Sequence, residues 1–220
     1  MKNTIHFFGD SFTEGYTLRA TEHIWTKIIH EALPEYNYIN YAWGGASPTF
    51  IIKQFIDSLT KVKKGDKAIL LETIPNRIEI YSPQEKIVIP ATNGHIIEAF
   101  NNKKSPYFKS FKHIKTALDF ILDHREENIE DFEKFYRDIN NTFLTYLDSI
   151  GVETILIPWQ VSFGNMTQGK FQTLKELSKD KHIDEHFTVL GHWQFANYVN
   201  KTYFNSKLKL RKKPKENMLI

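Results

Sequence analysis

Short apolar runs alternate along the chain with longer segments of helical periodicity. Residues 4–8 (TIHFF) form a compact apolar run closed by Gly9, as a buried strand requires. From Thr21 the spacing changes. Ile24, Trp25, Ile28, Ile29, Ala32 and Leu33 recur at helical intervals, with Thr21 placed as N-cap and Pro34 as the stop. Residues 38–42 predict a second strand that ends in a Gly44-Gly45 turn. Ser47-Pro48 then predicts a helix start, because serine caps and proline is tolerated at the first helical position. That helix carries Phe50, Ile51, Phe55, Ile56 and Leu59. Residues 67–72 (KAILLE) are almost continuously apolar after a Gly-Asp turn, which predicts a strand covered on both faces.

The second half repeats the alternation. A long amphipathic helix is predicted over 129–150, with Phe132, Phe135, Tyr136, Ile139, Phe143 and Leu147 on its apolar side. Gly151 ends it, residues 152–158 (VETILIP) make a fourth strand, and helices follow over 167–177 and from His192. Strands alternating with helices of this length imply an α/β fold with a parallel sheet wrapped on both faces. Residues 77–128 interrupt the rhythm and read as an insertion too small for its own core. Within it, EKIVIPATNGHIIEA predicts a hairpin turning at Asn93-Gly94, with Pro90 excluding a central strand; residues 111–122 predict a helix. The expected organisation is one domain over 1–205 and a solvated basic tail over 206–220.

Composition narrows the function classes. A chain of 220 residues with 41% hydrophobic and 25% charged positions suits one globular α/β domain. Cysteine is absent, which removes disulfides, zinc-thiolate sites and thiol nucleophiles. A net charge of +3 is too small to point to nucleic acid. The opening apolar run is too short for a secretory signal, and no stretch is long enough to span a membrane. The expectation is a soluble cytoplasmic protein with no nucleic-acid or membrane partner.

Four segments carry residues suited to chemistry. FFGDSFTEG places Ser11 just beyond the first strand, where open parallel sheets bind ligands; Gly-Asp-Ser is equally an ordinary turn. INYAWGGAS offers paired glycines that let backbone N–H groups approach a ligand. ILLETIPNR offers Asn76, a neutral amide able to donate to a developing oxyanion, beside Arg77, which suits either a substrate carboxylate or a surface ion pair. HIDEHFTVLGHWQFA offers His186 as general base with Asp184 to hold its other ring nitrogen, while His182 and His192 compete for the base role.

In order and position, these four segments resemble the blocks of the SGNH, or GDSL-like, esterase and lipase family. Ser11 matches the first block's serine. Gly45, five residues after Asn40, matches the second block's glycine. Asn76, four after Glu72, fits the third, and His186, five before Gly191-His192, fits the last. The resemblance departs from the family in two blocks. The acid stands at Asp184, two before the histidine, where the family has it three before, at what is here Ile183; Phe187 follows His186 in place of proline. In the third block Pro75 replaces the common glycine.

The resemblance implies a three-layer α/β/α sandwich with a flavodoxin-like central sheet. It also implies a serine esterase needing no metal or cofactor, acting on a small-molecule or glycan ester through an acyl-enzyme. Ser11 is then the nucleophile, His186 its base and Asp184 the acid; the Ser11 and Gly45 N–H groups and the Asn76 amide form the oxyanion hole, and Asp10 braces the loop. A carbohydrate O-acetyl ester is the favoured substrate, with Trp43 and Trp159 as stacking surfaces or core residues. The alternatives are a lipid or thioester acylhydrolase, a glycan-binding protein that has lost catalysis, a metalloenzyme using His182, Asp184 and His186, and a flavodoxin-like signalling receiver.

Overall fold

The computed structural model describes residues 2–15, 18, 21–82, 87–91, 115–159 and 189–214. Among the described residues four strands make one parallel sheet: β1 (Thr4–Phe8), β2 (Asn37–Asn40), β3 (Lys67–Leu71) and β6 (Glu153–Ile157), in the order β2-β1-β3-β6. Two further strands, β4 (Ile78–Ser82) and β5 (Ile87–Ala91), form a separate antiparallel pair. The described helices are α1 (Ser11–Glu14), α2 (Trp25–Glu31), α3 (Pro48–Ser58), α4 (Lys115–Glu127), α5 (Ile129–Ser149) and α6 (Val189–Tyr203).

Strand alternation divides the core into two layers. Ile5, Phe7, Ile69, Leu71, Ile155 and Ile157 face Trp25, Ile28 and Ile29 of α2 and Phe195, Ala196 and Val199 of α6. Phe8, Ala68 and Leu70 face the other way, onto Ile51 and Phe55 of α3 and Leu144 and Leu147 of α5. The result is the α/β/α sandwich expected, and its strand order is the flavodoxin-like one. In such a sheet the chain goes from β1 to β2 on one side and from β3 toward β6 on the other, so the connections after β1 and β3 diverge and open a crevice at the carboxyl ends of these strands.

The local signals fare differently. Ser47 caps α3 as expected, its Oγ accepting from the Phe50 N–H at 3.3 Å, with Pro48 at the first helical position. Thr21 does not cap α2. It lies in a 3₁₀ turn (Thr21–His23), and Ile24 precedes the helix without a side-chain cap bond. The Trp25 N–H instead donates to His192 Nδ1 at 3.3 Å, so a residue of α6 does the capping.

Residues 87–91 are a strand and pair antiparallel with 78–82, so that Ser82 lies opposite Ile87 and Ile78 opposite Ala91. Asn93-Gly94, where the hairpin turn is expected, lies outside the described residues. Among the described residues this sheet has two strands, which puts Pro90 on an edge. The helix expected over 111–122 is described at Lys115–Glu127, and the one expected over 167–177 lies outside the described residues.

The basic segment after α6 is held to the fold as far as Arg211, not solvated from 206 onward. Leu208 and Leu210 pack on the α2/α6 core, Leu208 exchanges hydrogen bonds with the Asn200 side chain, and Arg211 pairs with Glu31 at 3.1 Å. Its apolar positions alternate with lysines, so one edge buries while the charges stay in water.

Candidate functional site

Three loops converge at the carboxyl ends of β1, β2 and β3. The first holds Ser11, which opens α1 and is 4% exposed. Asp10 caps this short helix, its Oδ1 accepting from the Phe12 N–H at 3.0 Å. Gly9 has no room for a side chain: a Cβ there would meet Thr13 Oγ1 at 2.3 Å and the Leu71 carbonyl at 3.1 Å, at a φ of +154°. The loop that carries Ser11 thus packs directly on the end of β3.

The second loop is fastened to the first. The Trp43 N–H donates to the Gly9 carbonyl at 3.3 Å, and the Ala46 N–H closes the turn on the Trp43 carbonyl at 3.0 Å. Inside that turn Gly45 sits at φ +74°, a left-handed conformation that favours glycine. Asn40 supports the approach: its Nδ2 donates to the Thr13 carbonyl at 2.9 Å, and its Oδ1 accepts from the Ala42 N–H at 3.0 Å. Glu14 closes the gap from the other side by accepting from the Gly44 N–H. Burial raises the Glu14 carboxyl above its ordinary value and the nearby Asp10 charge adds to the rise, while the Gly44 bond opposes it.

The third loop is a four-residue turn, Ile74–Arg77, closed by the Arg77 N–H on the Ile74 carbonyl at 3.3 Å. Pro75 occupies its second position, where proline's fixed φ suits a turn, and Asn76 its third. Arg77 points inward. Its Nη1 donates to Asp10 Oδ2 at 2.6 Å, to Thr73 Oγ1 at 2.8 Å and to the Ala46 carbonyl at 3.5 Å, and Thr73 donates to Asp10 at 2.9 Å. The neighbouring Glu72 accepts from Arg137 at 3.1 Å and Asn140 at 3.2 Å, which moors the end of β3 to α5.

Ser11, Gly45 and Asn76 are therefore brought to one end of the sheet on three mutually bonded loops. His186 and Asp184 lie outside the described residues, as does His182. His192 is 1% exposed and its Nδ1 is occupied by the Trp25 N–H, a structural use of that ring. Arg77 is neither a surface ion pair nor open to a substrate: its pair with Asp10 is buried, with side chains 11% and 2% exposed. Its place directly after Asn76 was the only signal in the sequence. Trp43 is not a core residue; it stands 59% exposed beside the glycine turn.

Described parts of the 77–128 insertion flank this end of the sheet. In β4, Glu79 Oε1 accepts from the backbone N–H of Ser47 at 3.2 Å and from its hydroxyl. In α4, Arg125 reaches back to the Asn76 turn. Among the described residues no group of three or more His, Asp or Glu side chains is placed to hold a metal, and no helix is long and apolar enough to cross a membrane.

No protein-family model and no curated protein matches this chain. Solved structures similar to it include a protein described as lipolytic and of the G-D-S-L family from Desulfitobacterium hafniense, 14% identical, with 90% of this chain and 98% of that one covered and a TM-score of 0.42. A lipolytic protein of the G-D-S-L family from Veillonella parvula is 14% identical, with 91% and 98% covered and a TM-score of 0.41. A GDSL-like lipase from Bacteroides thetaiotaomicron is 11% identical, with 93% and 89% covered and a TM-score of 0.34.

Proposed function

We propose that this chain is a serine hydrolase of the SGNH type that cleaves a small carboxylic ester. One observation carries the reading: a serine, a left-handed glycine turn and an asparagine turn sit on interlocked loops at the crevice where the strand order reverses. Those are the parts an acyl-transfer site needs besides its base.

In this reading Ser11 Oγ attacks the ester carbonyl carbon as His186 takes its proton, with Asp184 steadying the imidazolium. The negative charge gathers on the former carbonyl oxygen, where the Ser11 and Gly45 N–H groups and the Asn76 amide receive it. Collapse breaks the bond to the alcohol, which leaves with the proton from His186. Water then attacks the acyl-enzyme by the same route and restores Ser11. The favoured substrate is an O-acetyl ester of a carbohydrate, supported by exposed Trp43 with Phe50 at 6.5 Å ring separation beside the glycine turn.

The test is a panel of nitrophenyl esters of increasing acyl length run beside acetylated glycans, with fluorophosphonate labelling of the wild type and Ser11→Ala. Labelling confined to the wild type, with fastest turnover of acetyl esters, is the expected result. A wild type that neither labels nor hydrolyses any ester overturns the reading.

A further inference from the structure

The helix of the insertion grips the asparagine turn from behind. Arg125, near the end of α4, donates from Nη1 to the Arg77 carbonyl at 2.9 Å and to the Pro75 carbonyl at 3.3 Å. These are the two carbonyls that bracket Asn76. The guanidinium itself is seated on α5, its carbon 5.0 Å from the Phe132 ring centre and 5.9 Å from that of Tyr136. It is therefore held by stacking on one side while its Nη1 bonds the turn. On the inner side of the same turn, Arg77 is tied to Asp10, Thr73 and the Ala46 carbonyl. The backbone on either side of Asn76 is thus fixed from two directions by groups about fifty residues apart in sequence.

We propose that Arg125 is a positioning residue for the oxyanion hole: by clamping the carbonyls on both sides of Asn76, it sets where the Asn76 amide points. The inference rests on the hydrolase reading of the site. An oxyanion donor has to stand about 2.7–3.1 Å from the developing charge, and a turn with unfilled carbonyls has no reason to hold so narrow a range by itself. Through Arg125 the insertion becomes part of the catalytic scaffold as well as a flank of the crevice.

Arg125→Met is the informative variant, because the methionine keeps apolar contact with Phe132 and Tyr136 but has no donor for the two carbonyls. Its kcat on a nitrophenyl ester should fall about tenfold while KM stays within about twofold, since displacement of a donor by a fraction of an ångström acts on the transition state. Arg125→Lys, which keeps the charge and one donor, should recover part of the loss. In an Asn76→Ala background the methionine change should cost nothing further, because there is no amide left to aim. Circular dichroism and thermal unfolding above the assay temperature establish that the variants are folded.

A methionine variant with wild-type kcat overturns the proposal, and so does a full tenfold loss on top of Asn76→Ala. In both cases the wild type labels with fluorophosphonate and turns over, so the hydrolase reading stands. A wild type that does neither removes that reading and this one together.

Discussion

The Arg77 guanidinium meets the Asp10 carboxylate at 2.6 Å, one residue behind Ser11 and one residue beyond Asn76. The pair joins the loop after β1 to the loop after β3, and the further bond to the Ala46 carbonyl adds the loop after β2. Three segments that approach one another only at the end of the sheet are held by one side chain.

A buried pair of this kind is costly to break from one side. Arg77→Met leaves Asp10 without its cation and should lower stability by about 3–5 kcal/mol in denaturant unfolding. Combining it with Asp10→Asn should restore much of that loss, because asparagine keeps the cap on Phe12 and carries no charge to strand. If the double variant is no more stable than Arg77→Met alone, the ion pair is not what Arg77 contributes.

The oxyanion assignment predicts a particular kinetic split. Asn76→Ala should lower kcat by roughly 100-fold or more and leave KM nearly unchanged, since the amide is needed most once charge develops on the substrate oxygen. Ser11→Ala should remain folded and lose ester hydrolysis altogether. An Asn76→Ala enzyme with raised KM and normal kcat would show that the amide only holds ground-state substrate.

A second buried pair lies within the sheet at the opening of β3. His6 Nε2 is 3.1 Å from Asp66 Oδ2, and Asp66 also accepts from the Thr4 and Lys63 N–H groups. The other ring nitrogen, Nδ1, has no hydrogen-bond partner among the described residues, and the Tyr41 ring stacks at 5.9 Å. Burial lowers the His6 pKa below its ordinary 6.5; the Asp66 hydrogen bond and charge oppose that shift, and Lys61 adds to it. The unfolded chain therefore takes up a proton first as pH falls. The stability that depends on neutral His6 is present above pH 6.5 and is lost below it, down through the folded pKa. His6→Gln should be less stable at neutral pH yet flatter over that acid range in pH-dependent unfolding. Parallel curves for the two proteins would assign the acid loss to other groups.

The strands were legible because β1 and β3 are buried on both faces and read as apolar runs, and the start of α3 because Ser47-Pro48 carries its cap in adjacent residues; the strand order came only with the family resemblance. The cap of α2 was not legible, since His192 lies 167 residues away and a local scan settles on Thr21. The pairing of 87–91 with 78–82 was not legible either, because the strongest turn dipeptide nearby, Asn93-Gly94, points the reading downstream and away from Ile78–Ser82. Ser11, Gly45 and Asn76 could be picked out because they stand at strand ends with recognisable neighbours. Arg77 and Arg125 act across 67 and about 50 residues, and nothing in their immediate sequence marks the groups they bond.

The histidines separate on the use of their ring nitrogens. His192 Nδ1 accepts from the first N–H of α2, a donor that no residue of its own helix end satisfies. That bond needs Nδ1 to act as an acceptor, without a proton. A general base has the opposite requirement, for it must become an imidazolium during each turnover. His192→Asn, whose side-chain oxygen can accept in place of Nδ1, should therefore keep esterase activity and keep the rise of activity with pH through histidine's ordinary range. His192→Ala should also keep that pH dependence but unfold at a lower temperature, having lost both the cap and a buried ring. His186→Ala should remove the pH-dependent rise together with nearly all activity, and Asp184→Asn should leave a reduced activity with residual fluorophosphonate labelling. Should His192→Asn be folded and inactive while His186→Ala turns over normally, the base is His192 and the placement of the last block is wrong.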